Sequence, residues 1–399
     1  MKNTPAMAGG HPVRKNYLIF GNPVIEESEI DDVVDSLKTG WLGTGPKVKR
    51  FEDTFKSYIT SKNAVALNSC TAALHLSLLV AGLKPGDEVI TTPMSFTATA
   101  AAIIHAGARP VFVDVDPSTM NIDPDCIEKA ITKKTKALLP VHFAGRPCNM
   151  KQIMEIAEKH ELFVIEDAAH AIETVAQGTK VGKIGHLTCF SFYVTKNIVT
   201  GEGGMVTTEI DEFADRIKIL ALHGMTRDAW HRFGDDGFKH YAVVYPGFKY
   251  NMMDIQAAIG YHQLNRIEKY SMRRKEIWQR YNDAFRDMPV VIPTECAQSD
   301  DRHAFHLYTL LLNLEALKIS RDSFMQALHL ENIGSGIHYV ALHLHPYYAE
   351  TYGFKQGMFP HAEYISERTV SLPLSAKLSD KDVEDVISAV RRVVTYYAK

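Results

Sequence analysis

Short, strongly apolar runs alternate with helical stretches from about residue 60 to residue 210, and this alternation constrains the fold more than any other feature. Ala64-Val-Ala-Leu, Gly86-Asp-Glu-Val-Ile-Thr-Thr, Pro110-Val-Phe-Val-Asp114, Ala137-Leu-Leu-Pro-Val-His142, Phe163-Val-Ile-Glu-Asp167 and Cys189-Phe-Ser-Phe-Tyr each read as a strand buried on both faces. Between them lie amphipathic segments such as Val48 to Tyr58 and Met150 to His160. Strand and helix in turn predict an α/β fold with a mostly parallel central sheet covered on both sides. Ligands of such sheets sit outside the carboxyl ends of the strands. Ser69, Thr71, Phe96, Asp167, Ser191 and Lys196 all fall near that edge.

At 399 residues the chain is long enough for about two domains. The pattern predicts an extension over 1–25, a large domain over 26–260 and a smaller α+β domain over 261–399. In the latter, a strand is expected over His306 to Leu312, a helix over Ser320 to Glu331, a strand over Ile337 to Tyr339 and a last helix from Lys381. A single long helix from Ile255 to about Ala284 is expected to join the two. Asn22-Pro23 opens a helix with an apolar stripe at Ile30, Val33, Val34 and Leu37. The stretch His223 to Tyr245 is long, polar and aromatic, a texture associated with function or assembly.

The formal net charge of −3 gives no footprint for nucleic acid or a membrane surface. No apolar run is long enough to span a bilayer, and Met1 to Lys15 lacks the apolar core of a signal peptide. Cys70, Cys126, Cys148, Cys189 and Cys296 are scattered and without CxxC spacing, which fits reduced thiols in a cytoplasmic protein. The histidines His338, His343 and His345 suit no zinc pattern, so no metal site is expected.

Two strand ends carry the chemistry. One delivers an acid, Glu166-Asp-Ala-Ala-His170; the next delivers Lys196, followed by the turn Thr200-Gly-Glu-Gly-Gly-Met205. An acid and a lysine so placed suit pyridoxal phosphate. The amine condenses with the aldehyde, and the acid keeps the pyridine nitrogen protonated so that the ring draws in electrons. Small hydroxyl residues in Asn68-Ser-Cys-Thr-Ala-Ala73, where a strand turns into a helix, read either as a phosphate seat or as a plain N-cap. Trp41-Leu-Gly-Thr-Gly-Pro46 reads either as a binding loop or as a packed turn.

Taken in order, several stretches resemble the DegT/StrS-type sugar-nucleotide aminotransferases of the fold type I, aspartate-aminotransferase-like class. They are Gly40-Trp-Leu-Gly-Thr-Gly-Pro, Asn68-Ser-Cys-Thr-Ala-Ala, Glu166-Asp-Ala-Ala-His, Ser191-Phe-Tyr-Val-Thr-Lys-Asn with Gly201-Glu-Gly-Gly, Gly247-Phe-Lys-Tyr-Asn-Met-Met-Asp, Gly334-Ser-Gly-Ile-His and Ser371-Leu-Pro-Leu. Within the family, Pro140-Val-His-Phe-Ala-Gly and Gly334-Ser-Gly-Ile-His-Tyr look most like the branch making UDP-4-amino-4-deoxy-L-arabinose. The resemblance implies that Lys196 holds pyridoxal phosphate and moves the proton, and that Asp167 pairs with the pyridine nitrogen. It implies that Thr71, Ala72 and Ser191 hold the phosphate, that Phe96 lies against the ring, and that His170 stacks by the cofactor oxygen. Asn251 is implied to reach the phosphate in a neighbouring subunit, making a homodimer with shared sites. Trp41, Thr44, His338 and Tyr339 are the implied substrate residues, with Gly43 departing from the family's second threonine. The implied reaction moves an amino group from glutamate to the keto carbon of a nucleotide-linked sugar, at C4, with C3 as the alternative. A non-catalytic binding protein of the same fold has no need of Lys196. A deoxygenase or dehydratase relative would replace that lysine or add cluster cysteines. An amino-acid aminotransferase would want a carboxylate-clamping arginine, for which Arg368 is the nearby candidate.

Overall fold

The structure, a computed structural model, describes residues 4–226, 242–296 and 298–399. Most of the aromatic stretch expected to serve function or assembly, 227–241, lies outside the described residues.

In chain order the strands are β1 (Asn63–Leu67), β2 (Glu88–Thr91), β3 (Arg109–Phe112), β4 (Thr135–Leu139), β5 (Phe163–Asp167), the short hairpin β6 (Val175–Ala176) and β7 (Thr179–Lys180), β8 (Leu187–Ser191) and β9 (Gly204–Thr208). Seven of them form one sheet in the order β1-β9-β8-β5-β4-β2-β3. β8, β5, β4, β2 and β3 pair in parallel, β9 is antiparallel to both its neighbours, and β1 therefore points with the majority. Each strand is apolar on both faces because each face is covered. Val65, Leu67, Val89, Ile165, Leu187 and Val206 pack under the helices Cys70–Val80, Thr97–His105 and Asp211–Ala221. Ile90, Leu138 and Val164 meet Pro124–Ala130 and Met150–Lys159, while Ala64, Ala66 and Phe190 meet Phe51, Phe55 and Ile59 of the helix Pro46–Ile59. This is the layered parallel arrangement that the alternation requires.

The C-terminal part is an antiparallel sheet, β10 (Val290–Val291), β11 (Tyr308–Leu312) and β12 (Thr369–Leu372), in the order β10-β11-β12. Its core joins Trp278, Tyr281 and Phe285 to Tyr308, Phe324, Val390 and Val393. The amino-terminal segment is tied to this part. Ala6 and Val13 donate backbone N–H to the Glu331 carboxylate at 2.8 and 2.7 Å, and Leu18 pairs with Ile333.

Three local expectations change. The helix expected from Ile255 to Ala284 is two, Asp254–Asn265 and Ile267–Phe285, broken at Arg266 with φ −110° and ψ 2°. There the guanidinium reaches back to Ser28 and Glu29, and the chain passes from one core to the other. Ile337 to Tyr339 forms no strand; the neighbouring Gly336 pairs alone with Ser371. The first long helix starts at Glu27, and Ile30, Val34 and Leu37 of its stripe are exposed.

Candidate active site

β5 ends on two adjacent acids, and the pleat sends them to opposite faces. Glu166 is fully buried and satisfied: Oε2 meets His142 Nε2 at 2.9 Å, and Oε1 accepts from Thr188 Oγ1 at 2.7 Å and Gly185 N at 2.8 Å. Asp167 turns to the other side. Its Oδ2 accepts from Thr99 Oγ1 at 2.7 Å and its Oδ1 from Ala169 N at 3.1 Å. Burial pushes this carboxyl above its ordinary pKa, against the pull of Thr99, the Ala169 N–H and the Lys196 charge. No ion pair to Asp167 exists among the described residues. A buried carboxylate without a cation at hydrogen-bond distance fits a protonated pyridine nitrogen.

Lys196 sits in the loop between β8 and β9, its N–H donating to Tyr193 O at 2.8 Å. Burial lowers its amine to about 8, opposed by Cys70 and Asp167. Phe96 caps the helix Thr97–His105 and leaves its ring 60% exposed at the sheet edge. Its ring lies 6.3 Å from that of Tyr339, whose hydroxyl meets His170 Nε2 at 3.2 Å. His170 Nδ1 accepts from Ala144 N at 3.2 Å. Gly145 has φ +94°, and a Cβ there would stand 2.8 Å from His170 O and 2.9 Å from Ala304 Cβ, so only glycine lets these segments converge.

At the end of β1, Ser69 caps the helix Cys70–Val80 by accepting from Ala72 N at 3.1 Å. The plain cap is therefore present, and it engages the Ala72 N–H expected for the phosphate. The Thr71 N–H, also in the first turn, has no intrahelical partner. Ser191 ends β8 opposite Gly204, where a Cβ would stand 2.5 Å from the Ser69 backbone. The glycine turn thus lets β9 pass against the helix start. Around this edge Asp167, Lys196, Phe96, His170 and Tyr339 come together, and His338 stands close enough to feel the Lys196 charge. Burial and that lysine hold His338 down at about 3, with Nδ1 2.7 Å from Ser371 Oγ.

Thr44 and Asn251 lie together, and Asn251 bridges Leu67 at the end of β1. Asn251 Nδ2 donates to Thr44 Oγ1 at 2.6 Å, and that hydroxyl donates to Met252 O at 2.6 Å. The Asn251 Oδ1 is buried without a partner among the described residues, and Trp41 is exposed. Asp254 anchors the loop by accepting from Gly45 N and Val48 N at 2.8 and 3.0 Å. Arg368 pairs with Glu315 and Glu367 and lies over the Tyr364 ring, so acids already engage its fork.

Sequence reasoning missed Thr99, although it lies within the Met94-Ser-Phe-Thr-Ala-Thr stretch, and Phe20, whose ring stacks on His338 at 5.7 Å. It also missed Asn197 and His306, joined at 2.9 Å. A hydroxyl in the first turn of the helix after Phe96 was a usable signal for Thr99. Phe20 and His306 carried none, being brought in from distant parts of the chain.

Known proteins match this chain over nearly its whole length. The uncharacterized protein MJ1066 of Methanocaldococcus jannaschii is 51% identical over 383 residues, covering 96% of this chain and 99% of that protein. The spore coat polysaccharide biosynthesis protein SpsC of Bacillus subtilis is 49% identical over 382 residues, covering 96% and 98%. The solved structure of the putative sugar aminotransferase Spr1654 from Streptococcus pneumoniae in its PMP-form superposes with a TM-score of 0.89 at 35% identity, covering 95% of this chain and 99% of that one. The model of one family spans residues 23–391, and with these relatives it shows that the chain belongs to the DegT/DnrJ/EryC1/StrS aminotransferase family.

Proposed function

We propose that the chain is a pyridoxal-phosphate-dependent aminotransferase. It moves the amino group of glutamate to the C4 keto carbon of a nucleotide-linked sugar. The observation that carries this reading is the juxtaposition of Lys196, its amine lowered to about 8 by burial, with the buried carboxylate of Asp167, which has no ion-pair partner among the described residues, and the exposed Phe96 near the same sheet edge. Spr1654, solved in both PMP- and PLP-forms, supports the cofactor. SpsC, by its name, supports a role in polysaccharide synthesis.

Bound here, pyridoxal phosphate supplies the aldehyde that receives the amine and a ring that draws electrons from the reacting carbon. Asp167, fixed in aim by Thr99 and the Ala169 N–H, would hold a proton on the ring nitrogen. The first-turn N–H groups of the helix Cys70–Val80 and the Ser191 hydroxyl would hold the phosphate, at the positive end of the helix. Phe96 would lie against the ring and exclude water. Lys196 Nζ would take and return the proton at the donor's Cα. An amine with its pKa brought near neutrality can both take and return that proton. The keto carbon is selected by how the sugar lies across His338 and Tyr339, and the likeness of the His142 and His338 stretches to the 4-amino-arabinose branch favours C4 over C3. Asn251 and the Trp41–Thr44 loop face a partner's site in the homodimer.

The test supplies matched 3-keto and 4-keto nucleotide sugars with glutamate and compares kcat/KM, with the product identified by NMR. Nitrogen at C4 is expected. Faster turnover of the 3-keto substrate moves the reaction to C3, and no turnover of any keto-sugar overturns the reading. Borohydride reduction and peptide mapping should place the pyridoxyl group on Lys196; a label on another lysine removes the cofactor assignment.

A further inference from the structure

A second set of polar groups lies behind Lys196. Asn197, the next residue, donates through Nδ2 to Glu173 Oε2 at 2.9 Å and to Ala304 O at 3.0 Å. Glu173 is buried, and its Oε1 pairs with the buried guanidinium of Arg274. Both hydrogens of the Asn197 amide are thereby used, so its Oδ1 is the atom that faces His306 Nδ1 at 2.9 Å. An oxygen acceptor there requires the His306 proton on Nδ1 and leaves the lone pair on Nε2. His170 has the opposite tautomer. Its Nδ1 accepts from Ala144 N–H, so its proton is on Nε2 and is donated to the Tyr339 oxygen. The hydroxyl hydrogen of Tyr339 is then free to point elsewhere than at His170. The rings of His306 and His170 lie 4.4 Å apart at 32°.

We propose that His306 is a positioning residue: held by Asn197 and the Glu173–Arg274 pair, it clamps the His170 ring and so fixes where the Tyr339 hydroxyl points at the edge of the sheet that carries Asp167. The inference rests on the aminotransferase reading and adds to it a residue drawn from the C-terminal part of the chain. Each link is directional. The buried ion pair fixes the Asn197 amide, the amide fixes the His306 tautomer, and the stacked ring limits the rotation of His170. Burial, followed by the Lys196 charge, holds both imidazoles well below their ordinary pKa. The titratable groups acting on His306 are Lys196, Arg274, His338 and His303, and each opposes its protonation. The tautomers therefore persist across the neutral range.

The test uses three holoenzyme variants. His306→Asn puts an amide N–H where Nδ1–H stands, His306→Gln puts one near Nε2, and His306→Phe keeps the ring without either nitrogen. Phe, which keeps the stacked ring, is expected to hold kcat within about threefold of the parent, while Asn and Gln, which take the ring away from His170, lose roughly tenfold or more in kcat with KM for glutamate little changed, as misorientation near the reacting atoms predicts. The pH midpoint of the resting cofactor absorbance should move in the Asn variant and stay in the Phe variant. A merely structural role would instead lower the melting temperature of Asn and Phe alike, with no split between kcat and KM. An Asn or Gln variant with parental kcat, or a Phe variant no more active than Asn, overturns the proposal. Should the Phe variant not fold, parental kcat in Asn or Gln still overturns it and a roughly tenfold loss in both supports it. Borohydride labelling of the parent separates the two claims: a label on Lys196 with fully active His306→Asn protein removes only the positioning role, whereas no label on Lys196 removes the aminotransferase reading.

Discussion

Asp167 and Lys196 are each shifted by burial, and each shift has a consequence. The Asp167 carboxyl is raised, so between its ordinary and its raised pKa the folded chain holds more protons than the unfolded one. Stability falls as pH rises through that window. Above that window the cofactor-free fold carries a buried charge that costs it stability. There Asp167→Asn should stabilise cofactor-free protein by roughly 1 kcal/mol or more, seen as a higher melting temperature. The same change should lower kcat by about a hundredfold or more, because the ring nitrogen loses its counter-charge. A variant both less stable and fully active would contradict this account. For Lys196 the folded pKa is lowered to about 8, so the unprotonated amine becomes the main form above that pH. Addition of pyridoxal phosphate to cofactor-free protein, followed by absorbance, should speed up as pH rises through about 8 and level off above it. A rate still climbing steeply at pH values where a free lysine titrates would show that the site does not depress this amine.

At the scale of elements, the phosphate seat depends on the start of one helix and the glycine turn beside it. Ser69 caps that helix, and Ser69→Ala should cost roughly 1 kcal/mol of stability. Because it frees the Ala72 N–H, cofactor affinity should fall less than stability does. Gly204→Ala acts differently: its Cβ would meet the Ser69 backbone at 2.5 Å, which forces β9 or the helix start to move. Fluorescence titration with pyridoxal phosphate should show a weakening of about tenfold or more for Gly204→Ala. An unchanged dissociation constant would show that the seat lies elsewhere. The break at Arg266 belongs to this scale too. A helical period continues through it, and what ends the first helix is an arginine drawn back to Ser28 and Glu29, partners that sequence distance conceals.

For the whole molecule, the exposed stripe Ile30, Val34 and Leu37, with the exposed Trp41 and the unpaired Asn251 Oδ1, fits a surface covered by a second copy. Two inactive chains, Lys196→Ala and Asn251→Ala, should then regain part of the parental activity when mixed as verified heterodimers, since one of the two hybrid sites is intact. No recovery would count against shared sites while leaving the chemistry of Lys196 in place.

The α/β class was legible because strands buried on both faces must be apolar throughout, and a strand of that kind announces itself in five residues such as Phe163-Val-Ile-Glu-Asp167. Lys196, Asp167 and the helix start at Ser69 were legible for a related reason: they lie at strand ends, where the fold class already fixes the edge on which ligands sit. Strand periodicity by itself did not choose between Glu166 and Asp167; the family resemblance named Asp167, and the pleat turns one acid to His142 and the other to Thr99. Nor could the sequence assemble the other wall of the site. Phe20 from one end of the chain, and Ala304, His306 and Tyr339 from the other, are all distant in sequence from His170 and Asn197. They reach His170, Asn197 and His338 only through long-range packing, and no local periodicity encodes those contacts. Local chemistry thus determined which groups stand at each strand end, and long-range packing decided which of them share a site.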